Sequence, residues 1–496
     1  MNYKIRGYKP EKLFHCFEEI SAIPRGSGNE KAISDYLVRF AEERGLEVYQ
    51  DDSFNVLIRK NACGGAVSKT PVMLQGHLDM VCDSLAGTEH DFEKEGINLV
   101  LNDGVLSADG TTLGADNGAA VALMMAVLDD DSLTHPPLEC VFTTEEEIGL
   151  NGASAFDKSK IHSRILINLD SEDEGVATVS CAGGMRIDLT RRVTRVNASG
   201  MVLRLEVSGL MGGHSGMDIN KERQNADLIM ARMAEALIEK TGAGLVSLCG
   251  GTKDNAIPRE CEAVLLCENA EEAEAARKEA VKFAEVLTEE LRPYEPGIVI
   301  KIDTEERQEV SVLSKEDAKA LTGALRLIPN GVLRADYKPG GFVIASVNLG
   351  IVRTEEDRIV IASAPRSSVA SLQEDTKNRF KTLAGTFGFE IGFRGEYPGW
   401  SYQENSLIRR VFQESYRGLF QEELKIEEIH AGLECGLFVD ALPGMDAISV
   451  GPTIKNVHTP DEEMPLDSME RFWLLLEDVL RQLGNMDNGN PCEIID

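Results

Sequence analysis

The chain has 496 residues, roughly the length of three average domains, and 43% of them are hydrophobic, so it has enough apolar material for large buried cores. Its 51 Lys and Arg against 83 Asp and Glu give a net charge of −32, which argues against a nucleic-acid-binding protein and against attraction to anionic membranes. The first twenty residues carry charges throughout and contain no apolar signal core, and the richest apolar run, 119–128, is too short to span a bilayer. We therefore expect a cytoplasmic protein with mostly reduced cysteines, and we assign no role to any of its ten cysteines.

Strand-like and helix-like segments alternate over residues 1–186. Short apolar runs predict strands at 71–76, 138–144 and 165–169, and the apolar stretch 118–128 predicts a helix. This alternation indicates a mainly parallel sheet covered on both faces by helices. In such a sheet, ligands bind at the edge formed by the C-terminal ends of the strands.

The pattern changes between residues 187 and 395. The predicted elements there are, in chain order, strand 202–207, helix 226–238, strand 256–267, helix 270–291, strand 297–302, helix 315–327, strands within 341–361, helix 368–387 and strand 389–393. The similar order in the two halves indicates two related α+β units. Residues 396–496 then resume the first pattern. We therefore predict one α/β domain, residues 1–186 and 396–496, interrupted by an inserted α+β domain, residues 187–395.

Residues that can bind a metal ion follow the predicted strands. They are His77, Asp79, Asp116, Glu145, Glu146, Asp170 and His458. Imidazole nitrogens and carboxylate oxygens bind zinc, and one carboxylate can bridge two such ions. His77 and Asp79 are two residues apart, so both side chains face one way on an extended strand and Asp79 can orient the imidazole. The side chains of the adjacent Glu145 and Glu146 diverge, so one can bind metal while the other reaches a bound water, which suits a hydrolase.

Six segments resemble the motifs of the M20 metallopeptidases. They are GHLDMV (76–81), GADNGAAVA (114–122), TTEEEIGLNGA (143–153), NLDSEDEG (168–175), MGGHSG (211–216) and NVHTPDE (456–462). The similarity begins at SAIPRGSGNE (21–30), extends over essentially the whole chain, and is greatest to the aminoacyl-histidine dipeptidase branch of that family. The resemblance implies that the α/β domain is a zinc-peptidase-like catalytic domain and that the inserted domain is a lid that also serves in dimerisation.

The resemblance further implies a site for two divalent metal ions, zinc in the first place and cobalt or manganese as alternatives. By motif position, His77 and Asp170 would bind one ion and Glu146 and His458 the other, with Asp116 as the bridge. Zinc, cobalt and manganese all bind nitrogen and oxygen donors of this type, so the sequence does not rank them.

Three further residues receive catalytic roles from the resemblance. Asp79 would support His77, and Glu145 would be the general base that activates the metal-bridging water. His214 would donate a hydrogen bond to the oxyanion of the transition state; the alternative is a glycine-rich turn in which Ser215 caps a following helix. The family also implies a cis peptide bond after Asp116.

Four residues are candidates for substrate binding. Asn255 and Arg366 would contact the substrate from the lid, with Arg366 suited to the carboxylate end because its guanidinium can bind in a bidentate manner. The alternative for both is an ordinary polar surface residue. His430 and Glu434 lie in HAGLECG, which resembles a loop on the substrate side of the active site, and a purely structural histidine is an alternative for His430.

The function implied by the resemblance is two-metal-dependent hydrolysis of dipeptides with a free N-terminus, including Xaa-His and β-alanyl-histidine. The alternatives are a deacylase of N-acyl amino acids, a tripeptidase, or a peptide-binding protein that has lost the chemistry. The intact ligand set argues against the last of these. We expect a small peptide as the only ligand besides the metals, and a homodimer, although a duplicated lid could also replace the partner within one chain.

Overall fold

The computed structural model describes residues 3–337 and 341–486. Its α-helices are α1 (Glu11–Ser21), α2 (Lys31–Glu43), α3 (Ala115–Leu128), α4 (Asn151–Ala155), α5 (Ala226–Thr241), α6 (Ala270–Leu291), α7 (Lys315–Leu327), α8 (Ala370–Phe387), α9 (Leu407–Phe420), α10 (Glu434–Ala441) and α11 (Leu466–Asn485). Its strands are β1 (Glu47–Gln50), β2 (Val56–Lys60), β3 (Val72–His77), β4 (Leu99–Asn102), β5 (Val105–Ala108), β6 (Leu138–Thr143), β7 (Ile165–Asn168), β8 (Val176–Cys181), β9 (Gly183–Arg192), β10 (Arg195–Ser208), β11 (Gly213–His214), β12 (Gly244–Gly250), β13 (Ala256–Ile257), β14 (Cys261–Cys267), β15 (Val299–Leu313), β16 (Gly331–Ala335), β17 (Val343–Thr354), β18 (Arg358–Ser367), β19 (Glu390–Tyr397), β20 (Lys425–Ile429), β21 (Asp446–Ser449) and β22 (Met464–Pro465).

The chain divides into two compact units. The first contains Met1–Cys181, Trp400–Glu428 and Leu433–Asp496, and the second contains Ala182–Gly399 and Ile429–Gly432. The sequence predicts the corresponding boundaries between residues 186 and 187 and between residues 395 and 396.

The first unit is built on an eight-stranded sheet with the order β1-β2-β6-β3-β7-β21-β8-β20. Its four central strands are parallel, whereas β1, β2 and β8 pair antiparallel with their neighbours. Every residue of β3 and β6 is buried, as expected for strands covered on both faces. Helix α3 is apolar on all sides and is buried along its length, which places it at the centre of this core. The predicted α/β class is confirmed, with a mixed sheet whose parallel strands lie in the middle.

The second unit is built on one antiparallel sheet with the order β15-β10-β14-β12-β17-β18-β9-β19, and β16 pairs with β17. Two βαββαβ units account for it. One is β10-α5-β12-β14-α6-β15, and the other is β9-α7-β17-β18-α8-β19. Both have the same internal strand order, and the pairing of β12 with β17 joins them into one sheet. Strand β9, the first strand of the second βαββαβ unit, precedes all of the first βαββαβ unit in the sequence. The first βαββαβ unit is therefore inserted into the second.

The described residues contain neither a disulfide bond nor a candidate membrane-spanning helix. Nine cysteines are free thiols there, and Cys492 lies outside the described residues. None of the helices within 3–337 and 341–486 combines the length and apolar character needed to cross a membrane.

One carboxyl group of the second unit is buried with few polar contacts to replace its lost hydration. Asp227, in the first turn of α5, is fully buried against Gly250 and Cys261. Burial raises the pKa of Asp227 to about 7, because its carboxylate oxygens have no hydrogen-bond partner among the described residues and the nearby Cys261 thiol and Arg353 charge only partly offset the loss of hydration. Because this pKa is higher in the folded chain than in the unfolded chain, the folded state binds more protons between about pH 4 and 7, and its stability decreases as pH rises through that range.

We expect Asp227→Asn to raise the free energy of unfolding at pH 8 by up to about 4 kcal/mol, since the substitution removes the cost of keeping a carboxylate charged away from water. The gain should shrink as the pH falls toward 4, and urea denaturation at pH 5 and pH 8 measures it. Asp317→Asn is the matched control. Asp317 is also buried, but it accepts hydrogen bonds from Arg191 and the Thr194 amide, so its replacement should destabilise the chain at pH 8. A destabilised Asp227→Asn at pH 8 would contradict the prediction.

Candidate metal centre

The polar cluster of the first unit lies at one edge of its sheet because three parallel strands end there. β3 ends at His77, β6 ends just before the turn Glu145–Glu147, and β7 ends two residues before Asp170. These strands are neighbours in the order β6-β3-β7, so the side chains that follow them lie close together. Asp116 lies in the first turn of α3, where its backbone and that of Asn117 are not helical. The Asp116–Asn117 peptide is cis, which confirms that expectation.

Asp116 contacts a histidine with each of its two carboxylate oxygens. Its Oδ1 lies 3.2 Å from His77 Nε2, and its Oδ2 lies 3.1 Å from His458 Nε2. Each imidazole has a second carboxylate neighbour: Asp170 Oδ1 is 3.4 Å from His77 Nε2, and Glu147 Oε1 is 3.0 Å from His458 Nε2. Two nitrogen donors and their carboxylates are thus arranged on either side of one shared carboxylate.

The donor atoms are close enough to hold metal ions. Three sets of three donors have all their ligand atoms within 4.8 Å of one another: His77, Asp116 and Asp170; His77, Glu146 and Glu147; and Asp116, Glu147 and His458. Imidazole and carboxylate donors in this number suit divalent zinc, cobalt or manganese. The residues present therefore fit a pair of divalent cations.

The structure differs from the prediction in the register of the three consecutive glutamates. Glu147, rather than Glu146, lies beside His458. Glu145 has a left-handed backbone, φ 49°, and its Oε2 accepts a hydrogen bond from Asn151 Nδ2 at 3.0 Å. The turn thus directs Glu145 to a neighbouring side chain and leaves the next two glutamates to the cluster, one position later than predicted. Nothing within EEE itself distinguishes the three residues, so sequence reasoning missed Glu147.

Asp79 ties His77 to the glutamate turn. Its Oδ1 lies 3.4 Å from His77 Nδ1 and accepts the Glu146 amide at 3.0 Å, and its Oδ2 accepts the Glu147 amide at 3.2 Å and the Ser27 hydroxyl at 2.8 Å. Burial alone would raise the pKa of Asp79, but these hydrogen bonds and the charge of His77 outweigh it and hold the pKa below its ordinary value. Asp79 is therefore a permanently charged acceptor that orients one imidazole and two backbone amides.

The cluster has a strong excess of negative charge. Hydrogen bonds to Asp116 and Glu147 raise the pKa of His458 to about 10, although burial opposes this. Burial raises the pKa of Glu146 well above its ordinary value, because it removes the carboxylate from water and places it near Asp170 and Glu434. The site therefore attracts cations.

Glu434 lies behind the strand ends and is completely buried. Its Oε2 accepts hydrogen bonds from the Thr143 hydroxyl, at 2.7 Å, and from the Gln75 amide. Burial raises the pKa of Glu434 to about 7. The predicted substrate contact of Glu434 stays a prediction.

The second unit contains the three predicted lid residues, His214, Asn255 and Arg366, and also His430, which the sequence places in the other domain. Arg366 is buried on β18, opposite Ser346 of β17, and its Nη1 lies 3.2 Å from the Tyr397 hydroxyl. Ser346 Oγ in turn lies 2.7 Å from His430 Nε2. Burial and the charge of Arg366 lower the pKa of His430 to about 4, and the same two causes lower the pKa of His214.

His214 and Asn255 lie on facing segments of this unit. His214 on β11 pairs with Ala256 on β13, so Asn255 directly precedes the residue opposite His214. The backbone carbonyl of Asn255 accepts the Ser215 amide at 2.9 Å. His214 Nδ1 accepts the amide of Met217 at 3.2 Å, so the neutral ring carries its hydrogen on Nε2.

Comparison with known proteins agrees with this geometry. Residues 73–482 match Peptidase family M20/M25/M40. The chain is 35% identical over 476 residues to the cytosol non-specific dipeptidase of Escherichia coli strain K12, covering 96% of this chain and 98% of that protein. Its fold matches the crystal structure of aminoacylhistidine dipeptidase from Vibrio alginolyticus with a TM-score of 0.91 and 35% identity, covering 97% and 98% of the two chains. The aminopeptidase PepT of Bacillus cereus shares the fold alone, with a TM-score of 0.55 and 15% identity over 96% of this chain and 99% of that one.

Proposed function

The chain belongs to Peptidase family M20/M25/M40, and from this membership and the geometry of its metal centre we propose a metal-dependent dipeptidase that acts on dipeptides with a free N-terminus. The observation that carries the proposal is the carboxylate of Asp116, which contacts His77 with one oxygen and His458 with the other. Two relatives that match almost from end to end are a cytosol non-specific dipeptidase and an aminoacylhistidine dipeptidase. We therefore include Xaa-His and β-alanyl-histidine among the substrates, and we propose a cytoplasmic location.

We propose that the residues of the cluster hold two divalent cations. We assign His77 and Asp170 to one cation, Glu147 and His458 to the other, and Asp116 to both. Zinc is our first choice, because structural and catalytic zinc sites use these nitrogen and oxygen donors, and cobalt or manganese can replace it. When bound, the cations act as Lewis acids and lower the pKa of the attacking water toward about 7.

Glu146 replaces Glu145 as our candidate for the general base. Its carboxylate lies within the donor set of His77 and Glu147, and its backbone amide is held by Asp79. It would accept the proton of the attacking water and deliver it to the leaving amine. Asp79 would keep His77 and the glutamate turn in place throughout.

The residues of the second unit would bind and polarise the substrate. Among the described residues Arg366 forms no ion pair with a carboxylate, so its buried guanidinium is suited to the C-terminal carboxylate of a dipeptide. Asn255 is our second candidate for a substrate contact. The neutral His214 carries a hydrogen on Nε2, and it would donate that hydrogen to the oxyanion.

We also propose a homodimer formed through the second unit. Within the described residues, β15 is an edge strand of 15 residues that pairs only with β10. An edge of this length can pair with a second chain.

The substrate prediction is tested with protein stripped by a chelator and then given zinc or cobalt. The panel contains a Xaa-His dipeptide, β-alanyl-histidine, a neutral dipeptide, its C-terminal amide, a tripeptide and an N-acetyl amino acid. We expect metal-dependent hydrolysis of the free dipeptides only, and a weaker reaction with the amide because Arg366 then has no carboxylate to bind. Hydrolysis of only the acetylated compound would indicate a deacylase instead, and no metal-dependent hydrolysis would reject an enzyme of this kind.

The glutamate register is tested with Glu145→Gln, Glu146→Gln and Glu147→Gln. Glu146→Gln should retain both metal ions and lose about 10²- to 10⁴-fold in kcat, since it removes the proton acceptor. Glu147→Gln should lose metal, measured as ions per chain by elemental analysis after dialysis. Glu145→Gln is the matched control and should keep both metal content and turnover within about twofold of the unaltered protein. A large loss of turnover in Glu145→Gln with normal turnover in Glu146→Gln would restore the register predicted from the sequence.

The oligomeric state is measured by sedimentation velocity at several protein concentrations. We expect twice the chain mass of 54.2 kDa. A mass of one chain would instead indicate that the second βαββαβ unit takes the place of a partner subunit.

A further inference from the structure

Glu462 accepts four backbone N–H groups from the loop that carries Asp116. Its Oε2 lies 2.8 Å from the amide nitrogens of both Leu113 and Gly114. Its Oε1 lies 2.8 Å from the amide of Ala115 and 3.2 Å from that of Asp116 itself. The Glu462 side chain is only 2% exposed, so these amides have no water to replace it.

Arg25 holds the same loop from its carbonyl side. Its Nη2 donates to the carbonyl oxygen of Gly114, and its Nη1 donates to the carbonyl oxygens of Leu78, at 2.9 Å, and Asp79, at 3.3 Å. Arg25 is also buried, at 2% exposure. One guanidinium thus connects the loop before Asp116 with the segment that follows His77, and its positive charge offsets that of the buried Glu462 carboxylate.

Glu462 links the segment of His458 to the loop of Asp116, two residues whose side chains are in contact. Glu462 lies four residues after His458, and its carboxylate ends on the amide of Asp116, whose Oδ2 lies 3.1 Å from His458 Nε2. Glu462 therefore connects the segment that carries one imidazole to the loop that carries the shared carboxylate. A shift of either segment would change the distance between these two groups.

We propose that Glu462 is a positioning residue that, together with Arg25, fixes Asp116 between the two imidazoles and so sets the affinity of the chain for its metal ions. The proposal rests on the proposed function, since it assumes that Asp116 is a metal ligand. Glu462 itself is not among the three sets of metal-donor groups found in the described residues, and both of its oxygens accept backbone amides. Its effect passes through the backbone of residues 113–116.

A carboxylate is required because all four partners are donors. A carboxylate offers two acceptor oxygens, whereas an amide of the same size offers one oxygen and an NH₂ group. Glu462→Gln therefore sets a donor against two of the four N–H groups and leaves them without an acceptor. The substitution keeps the side-chain volume, so it removes the hydrogen bonds without opening a cavity.

The experiment is a titration of metal-free protein with Co²⁺, followed by its visible absorption, with dipeptide hydrolysis measured at saturating Co²⁺. We expect Glu462→Gln to bind Co²⁺ about 10- to 100-fold more weakly, the usual effect of removing a partner of a metal ligand. We expect kcat to fall while KM stays within about twofold, because the substitution leaves the substrate contacts in place. If Glu462→Gln does not fold, Glu462→Asp takes its place; it keeps the charge but is one methylene too short to reach all four amides.

Two control variants separate positioning from stability. Glu139→Gln removes another buried carboxylate of the first unit, which accepts the amides of His162 and Ser163, at the far end of β6. It should lower the melting temperature and leave the Co²⁺ affinity unchanged. Glu463→Gln removes the neighbouring charge, which pairs with Lys455 at the surface, and should change neither.

The outcomes distinguish this inference from the proposed function. If the unaltered protein binds no Co²⁺ and hydrolyses no dipeptide, the proposed function fails and this inference fails with it. If the unaltered protein does both and Glu462→Gln binds Co²⁺ with the same affinity, only the positioning role is overturned. The positioning role is also overturned if Glu139→Gln weakens Co²⁺ binding as much as Glu462→Gln does.

Discussion

The contact of Asp116 with an imidazole on each side is the interaction that the first unit is built to maintain. It requires that β3 end at His77, that the loop before α3 present both carboxylate oxygens, and that the segment around His458 return to the same place. These three segments are far apart in the sequence. The parallel centre of the sheet brings the strand ends together. Buried charged groups then fix the conformation of the loops that follow by hydrogen bonding to their backbone.

Buried carboxylates fix these loops by accepting hydrogen bonds from backbone N–H groups. Asp79 accepts the amides of Glu146 and Glu147, and Glu462 accepts the four amides up to Asp116. A backbone amide does not ionise near neutral pH. It therefore stabilises the charged form of a buried carboxylate without bringing a second charge into the core. The hydrogen bonds and the charge of His77 hold the pKa of Asp79 below its ordinary value, whereas burial still raises the pKa of Glu462 although its four amides oppose this. Within the described part of the chain Asp227 accepts no such amides, and burial raises its pKa to about 7.

Local sequence pattern predicted those elements whose stability depends on their own residues. The bounds predicted for α6 and α7 are those observed, because in α6 buried alanines and leucines recur on one face between charged residues and in α7 Ser314 caps the first turn. Strand β15 is much longer than the six residues predicted. Its polar part, including Glu305 and Gln308, is held by a long antiparallel pairing with β10, which no pattern within the strand reveals.

The features of the site likewise fall into those that local sequence predicts and those that depend on contacts between distant residues. The end of each central strand and the residue types that follow it are visible in the sequence, so the gathering of imidazole and carboxylate groups at this edge could be predicted. The glutamate register could not, because it depends on a left-handed backbone at Glu145 and on the hold of Asp79 on the next two amides. The contact of Glu462 with Leu113 joins residues 349 positions apart, and an isolated sequence carries no sign of it.

In the second unit, burial and one positive charge keep two histidines neutral. Arg366 is buried near His214 and His430, and together with burial its positive charge lowers the pKa of both histidines. Both rings are therefore neutral at pH 7, and each keeps one donor and one acceptor nitrogen. In the proposed function, a neutral donor would strengthen its hydrogen bond as an oxyanion develops without first attracting the substrate carboxylate, which would be left to Arg366. The division of roles between one fixed cation and two neutral rings would thus direct the charged end of a dipeptide to one place and the reacting carbonyl to another.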